Sequence, residues 1–244
     1  MSARVTLATA WRVAAQLRRD RRTLALIFVV PPALVALLKY IFDQQPQSFD
    51  RIGAPLVGLF PLVIMFLITS IAMLRERTTG TLERLMSMPL AKLDLLVGYG
   101  LAFAAVAAVQ GAITAGVAFG LLGVNTAGPI WAVLALAIAN AIVGMALGLF
   151  LSAFANSEFQ AVQFMPAFIL PQLLLGGLFL PRERMPQALQ TISDALPFTY
   201  AYEALAKVAA DDIDSRLWLD VAVICGCIAL ALVLGAATLR RRTP

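Results

Sequence analysis

Six apolar runs longer than 18 residues occupy most of this chain, and none shows the strict alternation of a half-buried strand. A run of that length can cross about 30 Å of hydrocarbon at 1.5 Å per residue. Lipid satisfies no backbone group, so a spanning segment must be a helix or part of a closed barrel, and the missing alternation argues against the barrel. Composition points the same way. Of 244 residues 61% are hydrophobic and 14% charged, with a mean hydropathy of +0.86. Soluble domains carry about 25% charged residues, so this chain could not cover itself with polar groups in water. It reads as an all-α integral membrane protein.

The expected spans are 24–42, 53–74, 93–122, 128–155, 158–180 and 217–239, with Pro31, Pro32, Pro61, Pro166 and Pro171 inside them as kinks. Neighbouring helices can re-satisfy the carbonyls that such prolines free. Residues 1–23 place Val5, Leu7, Trp11, Ala14, Ala15 and Leu17 among arginines, which predicts an amphipathic helix lying on the membrane surface. The rival reading, a cleaved signal peptide, is disfavoured by the long basic segment and the absence of a small-x-small cleavage pattern. The organisation is then an interfacial helix over 1–23, a six-span domain over 24–239 and a basic tail over 240–244.

Six spans put both ends on one side. Thirteen of the nineteen lysines and arginines fall there: six before the first span, four at 75–92 and three in the tail. The longest loop on the other side, 181–216, carries Glu183, Asp194, Glu203, Asp211, Asp212 and Asp214. The positive-inside rule therefore places both ends in the cytoplasm, and a bacterial inner membrane is the expected location. The net charge of +5 is accounted for by these flanks, which argues against nucleic acid as a partner.

Two connections are more than loops. In Arg75–Asp94, Thr81 is placed to cap a short helix running to Pro89, with Leu82, Leu85 and Met86 on one face. An apolar strip facing the cytoplasm needs a membrane or a partner to bury it. In Pro181–Arg216, Met185, Leu189, Ile192 and Leu196 step by 4, 3 and 4 residues to make one amphipathic helix. Pro197 breaks it, and Phe198, Tyr200, Tyr202, Ala204 and Leu205 begin another. Such a pair could dip into the outer leaflet or roof a cavity.

Catalytic constellations are missing. There is no histidine, no GxxxxGK[ST] phosphate loop, no GxSxG elbow, and no Asp or Glu in the middle of a span. These absences cut against an enzyme and against a proton-coupled carrier. Cys225 and Cys227 are one residue apart, which suits neither a disulfide framework nor zinc, and both are expected to be buried thiols. No metal or cofactor site is expected. The polar groups inside spans are neutral, among them Gln110, Thr114, Asn140, Gln160, Gln163 and Gln172. They either bond between helices or line a path, with Gln110, Asn140, Gln163 and the neighbouring Phe164 as the path candidates. Gly116-xxx-Gly120 and Gly144-xxx-Gly148 read as close-packing faces.

The stretch Arg75-Glu76-Arg77-Thr78-Thr79-Gly80-Thr81-Leu82-Glu83-Arg84-Leu85 with Pro89 resembles the cytoplasmic signature of type-2 ABC exporter permeases, RE-x-GT-x-E-x-L-x-x-x-P, with one extra residue before the Gly-Thr pair. Gly177-Leu178-Phe179-Leu180-Pro181, Met185-Pro186, Leu196-Pro197-Phe198-Thr199-Tyr200 and Glu203-Ala204-Leu205 are similar to the same family's segment before its last span. The resemblance implies the transmembrane subunit of an ATP-driven exporter, closest to the anthracycline and multidrug-resistance type. It implies a coupling helix that docks on a separate P-loop ATPase subunit through Arg77, Gly80, Thr81, Leu82, Glu83, Arg84, Leu85 and Met86. It also implies an external gate from Pro181, Met185, Pro186, Pro197, Phe198 and Tyr200. Two permeases, identical or paralogous, would pair with two ATPases. ATP and magnesium would bind to the ATPase and no cofactor to this chain, and membrane lipid would surround it. A lipophilic drug, antibiotic or lipid suits the neutral spans as cargo. The alternatives are a polysaccharide or glycolipid exporter of the same family, a stand-alone secondary transporter or channel, and a non-transporting membrane partner.

Overall fold

The computed structural model describes residues 2–44, 46–81, 84 and 92–238, and every regular element among them is helical. In chain order these are α1 (Ala3–Arg19), α2 (Arg21–Ile41), α3 (Pro46–Thr78) and α4 (Lys92–Ala115), the last continued by a π-helical stretch Gly116–Leu121. Then come α5 (Ile130–Leu151), α6 (Glu158–Leu175), α7 (Gln187–Asp194), α8 (Pro197–Ala209) and α9 (Ser215–Thr238). Five segments are long and apolar enough to cross a bilayer: Arg21–Ile41, Ile52–Thr78, Asp94–Leu121, Ile130–Phe154 and Ser215–Thr238. The expected run 158–180 ends early. Gly176 caps α6 and Gly177 turns the chain at φ +94°, so α6 has 18 residues, and with Glu158, Gln160, Gln163 and Gln172 among them it is too polar to be among the five.

α3 and α5 form the centre. In each, 61% of the apolar span is buried, against 22% in α2 and in α9. A hydrophobic drive between helices is weak in lipid, so close backbone approach and polar bonds must hold them. Gly144 supplies the approach: a Cβ there would lie 2.0 Å from the Leu62 carbonyl oxygen of α3. One turn on, a Cβ at Gly148 would meet the Phe66 carbonyl at 2.4 Å. Between them the Thr69 hydroxyl bonds its own helix at Met65 O (2.6 Å) and reaches Met145 O of α5 at 3.3 Å. The Gly116-xxx-Gly120 pair is different. A Cβ at either would meet nothing within 4 Å, so the expected packing face is not one within the chain.

The two ends of the bundle are distinct. At one, α1 lies against α4: Thr6, Thr9 and Val13 recur at three- and four-residue steps and are buried, while Leu7 and Trp11 point outward. Val13 joins Met73, Leu96, Tyr99 and Met145 in a core cluster, and Leu232 and Ala236 of α9 pack on the same cluster. The C-terminal turns of α9 therefore return to the end that carries α1. α6 also starts here, where Glu158 meets Arg75 at the end of α3.

At the opposite end α8 folds back into the bundle. Phe198, Ala201, Leu205 and Val208 pack with Leu59, Leu62, Val133 and Ile169. The Ser193 hydroxyl donates to Leu175 O at 2.9 Å, which fixes the far end of α6 beside the hairpin. α6 thus runs from one end to the other, about 27 Å at 1.5 Å per residue. Trp131 at the start of α5 and Trp218 at the start of α9 are exposed at this rim, and Trp11 is exposed at the other. Aromatic residues at two rims are the pattern of a chain set between two membrane–water interfaces. One expectation fails here: Cys225 is exposed and Cys227 only half-buried, both free, because peripheral α9 turns much of its surface outward.

Candidate functional site

The described charged residues collect at the two ends. α3 is 33 residues long, so its last turns carry Arg75, Glu76 and Arg77 past the apolar core to the level of α1. Glu76 is 8% exposed. A carboxylate buried that far needs a cation, and Arg12 Nη1 supplies one at 3.2 Å. Arg12 Nη2 also donates to the Tyr99 hydroxyl at 2.7 Å, with the guanidinium 5.6 Å from the ring centre. One arginine of α1 thereby joins α3 to α4. Arg75 donates to Glu158 through Nε (2.7 Å) and Nη2 (3.1 Å). Both side chains of that pair are more than half exposed, so it contributes about 0–1 kcal/mol and acts mainly to orient α6 on α3.

Asp20, between α1 and α2, caps α2 by accepting from the Thr23 hydroxyl (2.6 Å) and N–H (3.1 Å). Those two bonds hold its carboxyl below the ordinary carboxylate range. A lowered folded-state pKa contributes stability above the ordinary carboxylate range and loses it as pH falls through the lowered value. Asp20→Ala is therefore expected to cost about 1 kcal/mol at neutral pH. Thermal unfolding followed from pH 7 downward should show the gap from wild type closing only in the acid range.

α3 stops where Thr79 donates through N–H and hydroxyl to Arg75 O, at 2.9 and 2.7 Å, and Gly80 takes φ +70°. That left-handed value lets the chain leave one helix and start another. The Arg84 N–H bonds Gly80 O at 3.1 Å, so a new helical turn opens with Gly80 in the cap position and Thr81 as its first residue. The cap expected at Thr81 thus falls one residue earlier, because the turn needs positive φ there. Arg77 is half-buried at this end and its Nε has no partner among the described residues. Leu82, Glu83, Leu85, Met86 and Pro89 lie outside the described residues.

At the hairpin end the six expected gate residues fall on the turn after α6 and on the starts of α7 and α8. Pro181 opens the turn Arg182–Arg184, and Met185 is 7% exposed. Pro186 precedes α7, and Pro197 starts α8 where its missing N–H costs nothing. Phe198 is in the core, and the Tyr200 hydroxyl donates to Asp194 O at 2.6 Å. Burial and then the Asp194 carboxylate push the Tyr200 phenol above its ordinary value. Arg182 donates to both Glu203 of α8 and Asp194 of α7, clamping the hairpin. Lys207 of α8 pairs with Asp220 of α9 at 2.8 Å, where Asp220 is 2% exposed. The expected amphipathic stripe is divided: Met185 is buried, whereas Leu189 and Ile192 are exposed.

The path candidates separate. Gln110 donates to Ile27 O of α2 at 3.1 Å and Asn140 to Ala201 O of α8 at 3.2 Å, and both are fully buried. Gln163 is exposed on α6 and Phe164 is half-buried beside it. Asn140 ties α5 to α8, so Asn140→Ala is expected to cost about 1 kcal/mol, measured as a lower unfolding temperature in detergent.

Sequence reasoning did not find the Arg12–Glu76–Tyr99 cluster or the Arg182 clamp. Arg12 and Glu76 are 64 positions apart and Arg182 and Glu203 are 21 apart, so no spacing rule joins them. The one available signal was chemical: an acid buried at a span's end requires a cation from elsewhere.

These features define a polytopic α-helical membrane protein, with a helical hairpin packed into one end and a glycine-turned polar connection at the other. The chain belongs to the ABC-2 type transporter family, which it matches over residues 4–209. It is 25% identical over 166 residues to "ABC transporter G family member 20" of Dictyostelium discoideum, covering 68% of this chain and 23% of that protein. It is 24% identical over 157 residues to "Probable multidrug ABC transporter permease YbhR" of Escherichia coli (strain K12), covering 64% and 43%. With "Linearmycin resistance permease protein LnrN" of Bacillus subtilis (strain 168) it shares 26% over 168 residues, covering 68% and 43%. The chain therefore spans less than half the length of these relatives.

Proposed function

We propose that this chain is the transmembrane permease of an ATP-driven exporter that moves a lipophilic drug, antibiotic or lipid by alternating access. The observation that carries the reading is the family match together with the end of α3. The last turn of α3 carries Arg75, Glu76, Arg77 and Thr78 beyond its apolar residues, and Gly80 at φ +70° redirects the chain into a new helical turn. Arg77, Gly80, Thr81, Leu82, Glu83, Arg84, Leu85 and Met86 are the proposed contact for a P-loop ATPase subunit, which would carry ATP and magnesium. The chain itself would hydrolyse nothing.

α6 is the sixth span in this proposal. Its end-to-end course supports that, and its three glutamines are tolerable if a second permease covers Gln163 and Phe164 along a shared path. With six spans, both described ends lie in the cytoplasm of a bacterial inner membrane, α1 rests on the cytoplasmic leaflet, and the clamped hairpin is the external gate. Multidrug and linearmycin resistance in the relatives' names favour a lipophilic cargo.

Affinity purification in gentle detergent tests the reading. A stoichiometric P-loop ATPase, lost in the Leu82→Asp/Leu85→Asp double variant, is the expected result. A chain that purifies alone, with no ATPase crosslinked from residues 80–86, would overturn it.

A further inference from the structure

A cavity of about 540 Å³ lies between α1, α2, α3 and α4 within the single chain. That volume is in the range of sites that take a small ligand. Its wall on α3 extends from Leu67 to Thr79, about 18 Å at 1.5 Å per residue, and its character changes along that length. The deep half is apolar, lined by Leu26, Leu67, Ile68, Ile71 and Phe103. The half toward the α1 end is polar, lined by Gln16, Asp20, Thr23, Arg75 and Thr79. Such a graded slot fits a molecule with an apolar chain pointing into the bundle and a polar head at the surface.

The charges at the mouth select the head. Of its two carboxylates, Asp20 accepts from Thr23 and Glu76 Oε1 from Arg12, while Glu76 Oε2 is buried with no partner among the described residues. Arg75 gives Nε and Nη2 to Glu158, while Nη1 has no partner among the described residues. Arg18, Arg19, Arg21 and Arg22 are exposed on either side of Asp20. Around Arg75 and the exposed Arg18, Arg19, Arg21 and Arg22 the unspent capacity is for hydrogen-bond donation and positive charge, the complement of a phosphate.

We propose that this cavity binds one anionic phospholipid of the adjoining leaflet, an acyl chain lying between Leu26 and Ile71 and the phosphate against Arg75 Nη1. The site is contained within one chain and does not depend on the export reading. It requires only that the chain sits in a membrane.

Native mass spectrometry of the purified full chain with added dioleoyl phosphatidylglycerol or dioleoyl phosphatidylcholine tests it. The expected result is one phosphatidylglycerol retained per chain, with at least about a fivefold preference over phosphatidylcholine. Ile71→Trp, which fills the slot, should abolish retention of both lipids. Arg75→Gln should bring the preference close to one while leaving some lipid bound. Should Ile71→Trp not fold, as judged by its melting transition, Ala72→Leu fills the same wall more gently and should cut retention at least fivefold. Wild-type retention in the folded slot-filling variant would place the lipid on the basic surface and overturn the proposal. Equal binding of the two lipids would overturn the headgroup assignment. Full displacement by tens of millimolar inorganic phosphate would show a plain anion site, with no role for the chain, and would also overturn it.

Discussion

Alanine at Gly144 is expected to destabilise the chain by about 1–3 kcal/mol, and leucine there to eliminate the folded protein from detergent extracts. The reason is steric. The Cβ would sit 2.0 Å from the Leu62 carbonyl oxygen and 2.8 Å from its carbon, both rigid backbone of α3. No side-chain rotation relieves that contact, so α3 and α5 must separate. Separation also stretches the Thr69–Met145 bond beside it, at the contact between the two most buried spans. The companion variant Gly120→Ala meets nothing within 4 Å and is expected to melt with wild type. Melting temperature and yield of both variants, side by side, give the answer. Equal loss in the two would mean that glycine content matters and the α3–α5 contact does not.

The second large effect is expected at Gly80. Proline fixes φ near −65°, whereas the turn out of α3 holds φ +70°, so Gly80→Pro must redirect everything from Thr81 onward. Gly80→Ala meets no neighbouring atom and is expected to cost only about 1–2 kcal/mol for its left-handed conformation. In a reconstituted complex with the ATPase subunit, Gly80→Pro should lower ATP-dependent transport at least about tenfold, a coupling loss of ~1.4 kcal/mol or more. Gly80→Ala should stay within about twofold. The bundle itself should stay folded in both, since the turn lies outside its packed core, and melting curves check that. Normal transport by the proline variant at matched expression would sink the coupling role.

The same two glycines show how far the sequence could be read. Gly144-xxx-Gly148 and Gly116-xxx-Gly120 are indistinguishable as strings, and both read as packing faces. Only the first pair is one within this chain: its Cβ positions meet the backbone of α3, whereas those of the second meet nothing within 4 Å. Gly80 was visible as part of a signature, but its cap role was assigned to Thr81, since φ is not written in residue type. Gln110 and Asn140 were read as either helix ties or path residues. Both are buried and donate to a carbonyl of another helix, while Gln163 faces outward.

Hydropathy and charge alone determined that the chain is helical and membrane-spanning. They also located five of its spans to within a few residues, and its motifs identified the family. Those properties depend on local composition: each apolar run must satisfy its own backbone in lipid whatever its neighbours are. Only the tertiary structure decided which arginine meets which carboxylate, that α8 re-enters the core while α7 stays outside, and that a graded cavity opens between α1 and α3. Such outcomes depend on which helix faces meet and how closely. Contacts between residues tens of positions apart set that choice, and no periodicity along the chain records it.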